Sequence, residues 1–215
     1  PMPNYIKNIL TLEGSLSESD RLLSAIRGEN GPMDFQKIIP MPSELDIESG
    51  SRTDRGLGRF SRFVVETGGL PQREADYLAA HPEIEKEEWE LGKQAYRNIQ
   101  KYGSPTWYQW RIQHWGTKWN ADSAEITDGQ LSFLTAWNAP KPVLEKLSQM
   151  FPSLTLHHVW ADEDIGHNCG ERTYQNGIVT QETLPTGHDA VEFACDLWNI
   201  SPDEYLGEEP EMQLY

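Results

Sequence analysis

A chain of 215 residues can bury roughly 70% of the surface its unfolded form exposes, enough for one core with an appended lobe, and its apolar runs fall far short of the roughly 18 residues that span a bilayer. Its formal charge of −16 sets up a field that repels phosphate backbones, which disfavours direct nucleic-acid binding across the surface and fits a basic protein partner or plain solubility. Cys169 and Cys195 are too few for a disulfide framework, and Pro1-Met2-Pro3-Asn4-Tyr5 has no basic stretch leading into an apolar one, so a reducing, cytoplasmic setting without membrane targeting is expected.

Residues 5–12 alternate apolar and polar side chains as a strand does. Ser17 is expected to cap the next helix, with Asp20 three residues on, Leu22, Leu23 and Ile26 as its stripe and Gly28 as its stop. Residues 35–39 read as a second short strand closed by Pro40 and Pro42, completing a β-α-β unit. Residues 44–70 lack steady periodicity and read as a long loop with one short strand near 63–65. Helices are expected over 72–80, 83–101 and from Thr106, the last placing Trp107, Tyr108, Ile112 and Trp115 on one face. Asp128-Gly129 and Asn176-Gly177 mark two hairpins, because such pairs adopt the left-handed turn that matches strand twist. Between the hairpins lie a helix opened by Pro140 or Pro142 and a strand at 154–160, and a last helix starts near Asp189. Residues 203–215 read as a loosely held acidic tail.

Half of the eight tryptophans fall within residues 107–121. Dense aromatics can form a stacking platform for a base or sugar, although large rings at helical spacing are ordinarily core. Lys118 and Asn120 are the polar members best placed to reach a pocket. Asp162, Glu163 and Asp164 can hold a hard cation or supply an acid and base pair, or simply form a solvated strand end before Gly166. His157 and His158 point to opposite faces of a strand, and four ligands at zinc spacing are not evident, so no metal is expected. No serine elbow and no dinucleotide or phosphate loop is present, and no cofactor is expected. Arg52, Arg55, Arg59 and Arg62 face only Asp54 between them, which suggests an anion-binding loop.

The runs Ile38-Ile39-Pro40-Met41-Pro42-Ser43-Glu44-Leu45, Trp115-Gly116-Thr117-Lys118-Trp119-Asn120-Ala121 and Ala161-Asp162-Glu163-Asp164-Ile165-Gly166, with Asn168-Cys169-Gly170, resemble the YubB-type family of bacterial mobile-element proteins. The resemblance implies a ferredoxin-like sheet with a helical insertion. It brings no catalytic residues, because the family is a domain of unknown function. The arginine-rich stretch and acidic end are not part of that pattern.

The expected fold is therefore α+β: one domain over 1–215, with two β-α-β halves forming a ferredoxin-like antiparallel sheet, helices on one face, and a helical lobe at 72–115 inserted between the halves. Three functions are compatible with the sequence. The first is a non-enzymatic binding or interaction protein of a bacterial mobile element, for which the negative charge suggests a basic protein partner. The second is an acidic nucleic-acid mimic occupying a basic DNA-handling protein. The third is an enzyme or small-ligand binder near Lys118, Asn120 and Asp162 to Asp164.

Overall fold

In chain order the elements are β1 (Tyr5–Glu13), α1 (Leu16–Ile26), α2 (Ser51–Thr67), α3 (Pro71–Ala80), α4 (Lys86–Tyr102), α5 (Trp107–Trp115), β2 (Asp122–Thr127), β3 (Gln130–Ala136), α6 (Lys141–Met150), β4 (Thr155–Asp162), β5 (Cys169–Gln175), β6 (Ile178–Thr183), α7 (Gly187–Trp198) and α8 (Pro202–Leu206). They are taken from a computed structural model that describes residues 2–206, so most of the acidic end expected at 203–215 lies outside the described residues. The chain divides into two compact units, residues 1–40 with 114–215, and residues 41–113.

In the first unit, six antiparallel strands lie in the order β2-β3-β1-β4-β5-β6. β1 and β2 flank β3, and β3 and β4 flank β1, so β1 to β4 form the two split β-α-β halves of a ferredoxin-like α+β fold. The β5–β6 hairpin extends the sheet beyond β4.

The strand expected at 35–39 is instead a single 3₁₀ turn, Phe35–Lys37, whose N-terminus is capped by Asp34 accepting from Gln36 N. The true second strand of the first half is β2, which comes only after residues 41–113. The insertion thus falls inside that half, between α1 and β2, and not between the halves. Ser15, not Ser17, caps α1, accepting from Glu18 N. Both Asn-Gly and Asp-Gly turns form as expected, with positive φ at Asp128, Gly129, Asn176 and Gly177.

One sheet face buries Ile6, Leu10, Leu131, Phe133, Leu156 and Trp160. Phe35 stands edge-on to both Phe133 and Trp115, and the Trp115 indole donates to Ile39 O at 2.9 Å. α6 borders β5 on this side, with Ser148 Oγ accepting from Gly177 N. α1 lies beside the end of α6, where Arg21 covers the Phe151 ring. α7 takes the other face, against Ala161, Ile165 and Cys169, so helices are not confined to one side. The strand positions facing that way are half-buried at Lys7, Ile9 and Val159 and exposed at Glu171.

In the second unit, the stretch expected to be a loop is the 17-residue helix α2. Its buried residues Thr53, Gly56, Phe60 and Phe63 recur at helical spacing. Gly56 meets Gly92 of α4 so closely that a Cβ on Gly56 would stand 2.0 Å from Glu88 O. Phe60, Phe63 and Trp89 form the core of the lobe, with Tyr77 and Tyr96 packed around them. Glu74 accepts from the Trp89 indole and from Lys93, both at 2.7 Å, fastening α3 to α4. α5 begins in this unit and its last two residues belong to the first; its buried rings are Trp110 and Trp115, while Tyr108 and Ile112, expected to share a face with Trp115, are exposed.

Candidate functional site

The acidic turn after β4 is committed to structure. Asp162 is 7% exposed, and its Oδ1 accepts from Asn4 Nδ2 at 3.2 Å and from Asp164 N at 2.8 Å. Burial raises its pKa against the pull of those hydrogen bonds. Glu163 Oε1 accepts from Tyr5 N at 2.7 Å, and Glu163 N donates back to Tyr5 O. Asp164 is exposed. Among the described residues no group of three or more His, Cys, Asp or Glu is arranged to hold a metal ion.

Asn120 is an anchor. Its Oδ1 accepts from Phe35 N and Ala121 N, and its Nδ2 donates to Asp34 Oδ1, each at 2.9 Å. Asp34 is itself buried. These bonds pin the 3₁₀ turn to the start of β2, and the neighbouring Asn30 side chain donates to Ala121 O. Lys118 Nζ sits 4.3 Å from the Trp119 ring and 5.9 Å from Trp137. Trp137 N donates to Asn4 O, and Asn168 Nδ2 donates to Trp137 O, so Lys118 shares a sheet end with the acidic turn. No ion pair or hydrogen bond joins Lys118 or Asn120 to Asp162, Glu163 or Asp164 among the described residues.

The four arginines lie on α2 or at its first turn, not on a loop. Arg52 pairs with Glu48 and, at 2.8 Å, with Glu87. Arg55 Nε and Arg59 Nε grip the two oxygens of the buried Glu88 at 3.1 and 2.7 Å. Arg62 forms no ion pair or hydrogen bond among the described residues, and it borders a cavity with Arg55, Arg59, Tyr77 and His81.

The sequence reading missed a row of buried polar groups across β3, β1 and β4. Asn8 Nδ2 donates to Thr135 Oγ1, and Asn8 Oδ1 lies 2.9 Å from His158 Nε2, which therefore carries the proton. His158 Nδ1 is buried without a partner, and the ring stacks on Trp160. Burial, with Arg172 adding repulsion, lowers its pKa to about 3, so the ring is neutral. His157 points the other way and meets Glu13 at 2.6 Å, as strand alternation requires. Both cysteines are buried thiols whose pKa burial raises, which leaves little thiolate for nucleophilic chemistry. No helix among the described residues is long and apolar enough to cross a membrane.

Charge is unevenly shared. Residues 1–40 and 114–215 carry eight basic against twenty-two acidic side chains, whereas residues 41–113 carry ten against twelve. Within α7 the exposed Asp189, Glu192 and Asp196 face no lysine or arginine of the helix, and Glu192 Oε1 lies 3.1 Å from His188 Nε2. Beside β4 and β5 a shallow depression of about 510 Å³ is bordered by His157, Val159, Glu171, Thr173, Gln181 and Thr183, polar except for the valine.

A family model described as a ferredoxin-like domain in Api92-like protein matches residues 114–203, less than half of the chain. The crystal structure of protein Api92 from Yersinia pseudotuberculosis aligns over 86% of this chain and 99% of its own, at 11% identity and a TM-score of 0.44. No curated protein matches the chain. The ferredoxin-like domain identified by the family model coincides with the part of the chain that supplies five of the six strands.

Proposed function

We propose that the chain is a non-enzymatic interaction protein, related to the YubB-type mobile-element group, whose ferredoxin-like unit engages a basic protein. The carrying observation is the concentration of negative charge in that unit, with fourteen more acidic than basic side chains there and two more in the helical unit. A field so polarised steers basic surfaces toward one part of the chain and repels nucleic acid from it. The partly uncovered sheet face beside α7 offers area for docking, with Glu171 on the sheet and Asp189, Glu192 and Asp196 on the helix. The carboxylates that would serve a reaction are already taken: Asp162 and Glu163 hold main-chain amides, and Glu88 holds two guanidiniums. The mobile-element relationship is supported by the tryptophan-glycine-threonine-lysine-tryptophan-asparagine run at 115–120.

The test is affinity capture from bacterial lysate with the wild-type chain and with Asp189→Lys/Glu192→Lys. Proteins of high isoelectric point retained by the wild type, released as salt approaches about 0.5 M and lost with the variant, support the reading. Retention that ignores both salt and the variant, or turnover of a metabolite by the wild type, removes it. A retained protein that handles DNA would favour nucleic-acid mimicry as the form of the interaction.

A further inference from the structure

On α2, Arg55, Arg59 and Arg62 recur at intervals of four and three residues and so line one side of the helix. They border a cavity of about 460 Å³ whose opposite wall is Tyr77, His81, Glu83 and Ile84, within the size range of small-molecule sites. Gly58 adds room, since a Cβ there would meet nothing within 4 Å.

The guanidiniums are held in place from behind. Glu88 is 4% exposed, and its Oε2 accepts from Arg55 Nε at 3.1 Å, which orients that guanidinium and leaves the terminal nitrogens of Arg55, whose side chain is 57% exposed, free to turn outward, while Arg59 Nε forms an ion pair with Glu88 Oε1 at 2.7 Å. Arg59 Nη1 is also 3.8 Å from Glu83. Ordering an arginine before its ligand arrives removes much of the entropy that binding would otherwise cost. Arg62 adds a cation that makes no ion pair among the described residues, with Glu66 one helical turn further along α2, so three positive groups stand against Glu66, Glu83 and Glu88 on a chain that is strongly negative overall. The Tyr77 and His81 rings lie 4.4 Å apart at 38°, and Tyr77 is braced edge-on by Phe63. A flat, fixed ring beside bidentate donors suits a ligand with both a planar ring and an anionic group.

We propose that this cavity binds a small phosphate-bearing ring compound of nucleotide type, its phosphate on Arg55 and Arg62 and its ring on Tyr77 and His81. The site differs from the acidic surface assigned to a protein partner, and neither depends on the other. A long polyanion is disfavoured by the net charge, whereas a mononucleotide brings too little charge to be repelled strongly.

Calorimetric titration of the full chain with adenosine monophosphate, adenosine, inorganic phosphate and a single-stranded oligonucleotide tests it. Adenosine monophosphate is expected to bind about tenfold or more tighter than phosphate or adenosine alone. Arg62→Ala, an exposed change that leaves the fold intact by circular dichroism, is expected to weaken it about tenfold, and Tyr77→Leu to reduce it toward the affinity of phosphate. Arg52→Ala, which lies outside the cavity, is expected to change nothing. Failure of adenosine monophosphate to bind, equal affinity for phosphate, indifference to Arg62→Ala, or tighter binding of the oligonucleotide would each overturn the proposal.

Discussion

Gly56 of α2 and Gly92 of α4 meet backbone to backbone: a Cβ built on Gly92 would stand 2.0 Å from the carbonyl carbon of Gly56. Neither glycine is needed for its own dihedral angles, since both lie inside helices. They are needed because the axes cross where no side chain fits. Gly56→Ala or Gly92→Ala should cost about 3 kcal/mol through overpacking, measured by urea denaturation. Gly58→Ala, two residues away with open space at its Cβ, should instead gain about 1 kcal/mol from helix propensity. Equal effects at all three positions would contradict the crossing.

Glu88 holds the charge network of the lobe together. Its replacement by Gln removes the carboxylate from Arg55 and Arg59, whose side chains are 57% and 32% exposed, so water offsets part of the loss. Glu88→Gln should destabilise by about 1–2 kcal/mol. Because the carboxylate is buried, most of that difference should persist at about 0.5 M salt. A difference abolished by salt would place the pair in solvent.

His158 gives stability a specific pH dependence. Its folded pKa, about 3, lies below the ordinary 6.5, so the native state resists a proton that the unfolded chain accepts. Above pH 6.5 both states are neutral at this ring and it adds no slope. As pH falls from 6.5 toward 3 the unfolded state gains the proton first, and stability should drop by about 1.4 kcal/mol per pH unit on account of this group. His158→Gln keeps a donor for Asn8 and cannot titrate. The difference between wild type and variant should therefore shift by about 2 kcal/mol between pH 6.5 and 5. Parallel pH profiles would show that the ring titrates normally.

Asn120 and Lys118 separate an anchor from a surface cation. Asn120→Ala leaves Phe35 N, Ala121 N and the buried Asp34 short of partners and should cost about 2 kcal/mol. Lys118→Ala gives up a contact with the Trp119 ring and should cost about 0.5 kcal/mol. Thermal denaturation of both variants ranks them, and a larger loss at Lys118 would reverse the assignment.

The local signals that proved legible act within a few residues. Asp128-Gly129 and Asn176-Gly177 form their turns because the required positive φ is a property of those residues themselves. Gly103 closes α4 with φ +74. α2 escaped notice because its contact stripe begins with Thr53 and Gly56, small residues that carry no hydrophobic signal and are chosen by the partner helix. The four arginines looked unopposed for a related reason: Glu87 and Glu88, which meet Arg52, Arg55 and Arg59, come from a different helix, about thirty residues away in sequence.

The sequence by itself determined the class of fold, the two hairpins, most helices and the sign of the electrostatic field, because propensity, turn chemistry and net charge are sums over near neighbours. Tertiary structure alone decided that β2, not residues 35–39, completes the first half of the sheet, since residues 41–113 intervene and strand pairing is settled by distant partners. It also decided that Asn120 and Asp162 serve as anchors. A carboxylate or amide becomes structural when burial removes water and a particular main-chain amide takes its place, and that exchange depends on which segments the fold brings within 3 Å.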